Sequence, residues 1–282
     1  MTQVRIRCPT CGKYGNIEIS LDLLKNTQRG LLSVNIANNI ICPHQFLAYV
    51  DKTLQVRDYF TVDFHVDIPE ISSIEKIKEP ILPSKEIIDI DLIKLNINAM
   101  LLTYVIKSIF LKQKIVLIMD QEFLFNHIKN FFRYITQDCF KTDVKIIKSD
   151  DYKNNKKSYK DAMVFENNKI IRNNKNLINL KKLSVEKNIV NKFFSENDLG
   201  YSYIVLKNEL IKTYELAKRI KEYVEQEHQK GEKPNVLKIK DELEEIYKIK
   251  ISNIYLTFLI EITASYFKIS VPSLINGFFE FL

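Results

Sequence analysis

The sequence predicts an α+β chain in several parts: a zinc-ribbon-like antiparallel β domain over 1–68, a small α/β domain over 86–198 and a helical region over 199–282. A linker over 69–85 joins the first two. Three observations carry this reading. Three cysteines and a histidine fall in two short turns, Cys8-Pro-Thr-Cys11-Gly and Cys42-Pro-His44. Continuous apolar runs alternate with helically spaced stretches through the middle of the chain, and its last eighty or so residues keep helical spacing throughout.

The first element is a hairpin. Val4-Arg5-Ile6-Arg7 and Asn16-Ile17-Glu18-Ile19 both alternate in polarity, and the segment from Cys8 to Gly15 between them holds the turn formers Pro9 and Gly12. A thiolate pair two residues apart reaches one ion when such a turn offers its backbone amides to the sulfurs. The second knuckle follows Val34-Asn35-Ile36 and Ile40-Ile41 and runs into Phe46-Leu47-Ala48-Tyr49-Val50. Another strand pattern occupies Gln55 to Val66, so two knuckles on a small antiparallel sheet give a zinc ribbon holding Zn2+ as a structural ion.

Cys8, Cys11, Cys42 and His44 are the expected ligands. A ribbon's second knuckle usually offers another thiol three residues after the first, and Gln45 stands at that position. His44 is the substitute and His65 the reserve. The competing reading of Cys-Pro-x-Cys, a thioredoxin-like redox pair, needs a helix to lower the first thiol's pKa; a strand pattern follows Gly15 instead. Cys139 reads as a buried or half-buried thiol.

Pro69, Pro80 and Pro83 mark the linker. Glu86 to Leu111 then reads as one long buried helix, and Ile115-Val116-Leu117-Ile118-Met119 as a strand covered on both faces. A helix over Glu122 to Ile135, strands at Val144–Ile147 and Ala162–Phe165, and a helix over Ser184 to Phe194 complete a unit with some parallel pairing. If that sheet is doubly wound, Asp120 lies at its ligand edge. An aspartate there also reads as the N-cap of the helix that follows, and no second carboxylate or nucleophile joins it.

Leu206, Leu210, Ala217, Ile220 and Val224 stripe a long charged helix ending near His228. A second helix runs from Val236 to Tyr247, and a third begins near Ser252 or Asn253. A helix-turn-helix reader needs polar side chains on an exposed face, whereas Ile254 to Ile260 is mostly apolar, so this part reads as a packing or interaction region.

Composition narrows the function. The 282 residues carry a net charge of +7, and there is no Gly-x-Gly-x-x-Gly, Walker-type or Gly-x-Ser-x-Gly motif. Metal-held cysteines fit a reducing cytoplasm. The apolar stretches Leu95–Leu111 and Ile251–Phe267 are interrupted by polar residues and read as buried helices, with no membrane span expected. Residues 141–192 hold fourteen lysines and arginines against six acids. Tyr152 and Tyr159 lie among Lys153, Lys156, Lys157 and Lys160, where stacking beside phosphate contact is one reading and a solvated loop face the other.

Ile41-Cys42-Pro43-His44-Gln45-Phe46, continued by Tyr49-Val50-Asp51-Lys52 and Val56-Arg57, resembles the amino-terminal part of uncharacterised archaeal zinc-ribbon proteins of the Asgard type. The resemblance covers roughly the first seventy residues. It implies a cytoplasmic archaeal protein in which Cys42 and His44 act together, and it implies no reaction. The expectation is a zinc-stabilised, non-enzymatic adaptor for protein partners, with Tyr14, Phe46, Tyr49 and Tyr59 as candidate contact residues of the ribbon. The alternative is a nucleic-acid-binding factor using the ribbon and the 141–192 segment.

Overall fold

The computed structural model describes residues 2–20, 31–61, 68, 69, 84, 87–196 and 198–271. Three sheets and eight α-helices are present among them. Strands β1 (Thr2–Arg7) and β2 (Tyr14–Ile19) pair antiparallel with Arg7 opposite Tyr14, so the first knuckle does cap a hairpin. Strands β3 (Leu31–Ile36), β4 (Phe46–Asp51) and β5 (Val56–Thr61) form a second antiparallel sheet. The expected extension of β5 to Val66, the reserve ligand His65 and most of the 69–85 linker lie outside the described residues.

Alternation along β4 serves two cores. Phe46, Ala48 and Val50 face a small apolar cluster with Val4, Ile6, Ile36 and Ile41. Leu47 and Tyr49 face the opposite way, into the large core of the molecule, joined by Phe60 of β5.

Where one long helix was expected over 86–111, two occur: α1 (Ile90–Asn96) and α2 (Ala99–Phe110), whose axes differ by 102°. The reason is local. Asp89 accepts from the Leu92 amide at 3.1 Å, and Asn98 accepts from the Leu101 amide at 2.7 Å, so each of these caps starts its own helix. Between them Asn96 turns its side-chain amide back onto the Leu92 carbonyl. No single helix among the described residues is long and apolar enough to cross a membrane, and nearly every residue of α2 is buried in the protein core.

The third sheet has the order β7-β6-β8-β9, built from β6 (Lys114–Ile118), β7 (Asp143–Ile147), β8 (Ala162–Glu166) and β9 (Lys169–Arg172). Strand β6 is central and parallel to both β7 and β8, while β9 adds antiparallel at the edge. Ile115, Leu117, Met163 and Phe165 face the large core with α3 (Phe125–Thr136). Val116, Ile118, Ile147 and Val164 face the other way, covered by Tyr152 of α4 (Ser149–Asn154) and by Tyr159. The stretch over 149–160 is therefore a cover for the sheet rather than a free loop.

Helices α5 (Ser184–Ser195), α6 (Leu199–Gln229), α7 (Val236–Tyr247) and α8 (Asn253–Tyr266) follow. Asp198, Asn235 and Ser252 cap the last three, as helix-start chemistry requires. One apolar cluster runs from Leu47 through the third sheet to Tyr266, so sheet and helices share a core. Inside it Lys107 of α2 bonds Glu186 of α5 at 2.9 Å and Glu261 of α8 at 2.7 Å. Burial alone lowers the pKa of Lys107, and the two carboxylates more than reverse this; burial pushes Glu186 up.

Candidate metal centre

Each knuckle is closed by its own backbone. The Cys8 amide donates to the Lys13 carbonyl at 2.8 Å and the Gly12 amide to the Cys8 carbonyl at 2.9 Å, with Gly12 at φ +76° where a side chain is disfavoured. In the second knuckle Asn39 adopts φ +69° and its amide donates to the Cys42 carbonyl at 2.9 Å. Gly15 lets the two knuckles meet. A Cβ there would lie 2.6 Å from Ile41 Cγ1, inside any tolerated contact, so the second knuckle crosses the hairpin where the backbone is bare.

This crossing brings Cys8, Cys11, Cys42 and His44 together, with all four donor atoms within 4.8 Å of one another. Cys42 Sγ and His44 Nδ1 are 3.5 Å apart. A tetrahedral ion with ordinary Zn–S and Zn–N bonds sets that edge at about 3.6 Å, so the donors fit an ion of this kind. Cys8 and Cys42 are buried, His44 half-buried and Cys11 exposed, and no cysteine is in a disulfide. Burial pushes the Cys8 thiol up, and the Cys11 and Thr10 backbone amides more than offset it, leaving Cys8 below the ordinary thiol range. Burial pushes Cys42 up. The arrangement therefore offers backbone donors for the Cys8 sulfur and a closed donor set that can hold a metal ion.

Gln45 does not stand in for the missing fourth thiol. Its side-chain amide donates to Ser195 Oγ at 2.8 Å, at the end of α5. Asn35 reaches the Ser195 carbonyl, and the Ala99 amide at the first turn of α2 donates to the Tyr49 hydroxyl at 2.9 Å. The β layer is thus bonded to the helices directly beside one of the candidate ligands.

Elsewhere the structure redistributes the expected site residues. Asp120 does sit at the strand edge, but it accepts from the Ser149 amide and hydroxyl, both at 2.9 Å, and caps α4 across the sheet instead of its own following helix. These donors lower its pKa. Lys153 pairs with Asp150 at 3.0 Å, while Lys156, Lys157 and Lys160 are exposed along the turn over 156–160. Tyr152 and Tyr159 pack on each other with ring centres 6.0 Å apart and on the sheet below. Their rings are thus engaged with each other and with the sheet. Of the ribbon aromatics, Phe46 is buried, Tyr49 bonds α2 and Tyr59 packs edge-on against Phe46, leaving Tyr14 as the exposed one. Burial pushes Cys139 to about 12, so the thiol stays protonated beside the open cleft that it lines.

No family model matches the chain, nor does any curated protein or solved structure.

Proposed function

We propose that the chain is a zinc-stabilised, non-enzymatic adaptor that presents binding surfaces to protein partners in a reducing, cytoplasm-like compartment. The observation that carries this reading is the closed set of Cys8, Cys11, Cys42 and His44 at the crossing of two knuckles. Four protein donors leave a tetrahedral ion no open position for substrate, which is the arrangement of a structural metal. Zinc suits three thiolates and an imidazole better than the oxygen-preferring divalent ions. Exposed Leu237, Ile246 and Ile254 on α7 and α8 support protein contact at the other end of the chain.

The test has two parts. Elemental analysis of protein purified under reducing conditions without chelator is expected to find about one zinc per chain. Leu237→Glu with Ile254→Glu is expected to abolish capture of a partner bound at fixed stoichiometry while leaving thermal unfolding unchanged. A metal-free folded protein overturns the zinc assignment. Capture that survives both substitutions overturns the assignment of the partner surface, and turnover of a small molecule that Asp120→Ala removes without unfolding overturns the non-enzymatic reading.

A further inference from the structure

We propose that the outer face of the β1–β2 hairpin binds single-stranded RNA, with Tyr14 as a stacking platform and Arg5 as its phosphate contact. The hairpin has two faces. Val4, Ile6 and Ile19 point into the small core, and Gln3, Arg5, Arg7, Tyr14, Asn16 and Glu18 are exposed. Register places Arg7 opposite Tyr14 and Arg5 opposite Asn16. The Arg5 guanidinium lies 4.5 Å from the Tyr14 ring centre and that of Arg7 lies 5.8 Å away, while Tyr14 keeps 52% of its surface exposed. Phenol and guanidinium planes are the two protein surfaces on which unpaired bases stack. Here the Arg5 guanidinium lies over the Tyr14 ring, which keeps half of its surface exposed for a base, on a frame that the proposed metal site would hold.

The cations are not equivalent. A Zn2+ with three thiolates and a neutral imidazole carries net negative charge, and the Arg7 guanidinium lies across the first knuckle, 3.3 Å from where a Cβ on Gly12 would be. Arg7 therefore lies against the first knuckle as well as near the Tyr14 ring. Arg5 and the exposed Lys13 remain for phosphate, with Glu18 as the opposing charge at the far end of the hairpin. An acidic peptide would use these cations and leave the ring bare, whereas a nucleic acid uses both. Gln3 and Asn16 on the same face add amide groups suited to the ribose 2′-hydroxyl, which DNA lacks.

The inference rests on the metal-held hairpin proposed above, so zinc is measured in every sample. Full-length zinc-loaded protein is titrated into fluorescein-labelled mixed-sequence RNA of about twelve nucleotides, within the span of a single-strand site. Parallel titrations use the same sequence as single-stranded DNA, as duplex, and a glutamate-rich peptide. The expected result is an anisotropy rise strongest for single-stranded RNA. Tyr14→Ala is expected to weaken it about tenfold and Tyr14→Phe to preserve it. Arg5→Ala should weaken it and flatten the log–log salt slope by about 0.7. The triple change Lys156→Ala, Lys157→Ala and Lys160→Ala should leave it unchanged.

Zinc-loaded protein that fails to bind RNA overturns this inference and leaves the structural-zinc reading standing. Binding that survives both Tyr14→Ala and Arg5→Ala, or that the lysine changes abolish, overturns it as well. So does a preference for duplex, for DNA or for the acidic peptide. A folded protein without zinc overturns the reading beneath it.

Discussion

The β layer around the metal site and the helical body behind it reach stability by different routes. Among the described residues the small cluster beside the knuckles holds eleven buried apolar residues, two of which are Cys8 and Cys42 themselves. A core of that size supplies little on its own, and a bound metal would supply what is missing. The body has the opposite profile. Its cluster runs through aromatic contacts such as Phe110 on Phe140 and Phe258, and it is deep enough to enclose a lysine with a glutamate. On the proposed reading one region is fixed by coordination at a point, and the other is fixed by packing over an area.

The largest effect should come from separating these routes. Cys42→Ser is expected to lose the metal and unfold the strands over 2–19 and 31–61 while the helices persist, read as rapid amide exchange confined to that layer. Metal-bound folding free energies of about 10 kcal/mol or more exceed anything else that holds a small metal-stabilised unit together. Exchange rising equally in α2 and α5 would show that the two regions unfold together.

The body has its own weak point. Lys107→Ala leaves Glu186 buried without its cation and is expected to cost roughly 3–5 kcal/mol in chemical unfolding, with zinc content unchanged. Loss of zinc in that variant would break the distinction between the regions.

Gly15→Ala forces a methyl group toward Ile41 and is expected to destabilise the β layer by about 1–3 kcal/mol and to weaken zinc retention against a competing chelator. The joint between the regions is worth less. Gln45→Ala removes the bond to Ser195 and should cost about 1 kcal/mol without changing zinc content. A zinc deficit in that variant would make Gln45 part of the metal centre.

The smallest effect is a pH dependence at the same joint. Burial lowers Lys94 to about 8, and its ammonium donates to the Glu196 carbonyl at 2.7 Å. Between pH 8 and the ordinary lysine value, the unfolded chain binds more protons at this site than the folded chain does. Stability contributed by this group therefore rises with pH in that window. Thermal unfolding of the wild type and Lys94→Met from pH 7.5 to 9.5 should show the wild type gaining relative to the variant, and a constant difference would contradict the shift.

How far the sequence is legible follows from the range of the interactions involved. The candidate ligands are local pairs in turn contexts, and the four residues that the two short spacings single out do come together. The central apolar run from Ile115 to Met119 shows its two-sided burial in its composition. Helices α1 and α2 read as one because apolar content continues through Ile97, although Asn96 and Asn98 carry the break. Asp120 caps a helix twenty-nine positions away, and no spacing rule reaches that far. Tyr152 and Tyr159 read as available because lysines surround them, yet α4 and the turn after it set both rings against the sheet. The Arg5 and Arg7 face is legible from simple alternation, while its partner ring across the hairpin requires the register.

Strand β4 is a wall shared between two rooms, and its two sides are completed at different times in the life of the chain. Ribosomal synthesis runs from the amino terminus, so both knuckles and all four candidate metal donors emerge before any of the described helices does. Phe46, Ala48 and Val50 find their neighbours at once. Leu47, Tyr49 and Phe60 remain wet until Ala99 has been made for Tyr49 and Ser195 for Gln45. For that interval a nascent chain displays an apolar sheet face that aggregation or a chaperone can claim, and early metal capture shortens only the first half of its exposure.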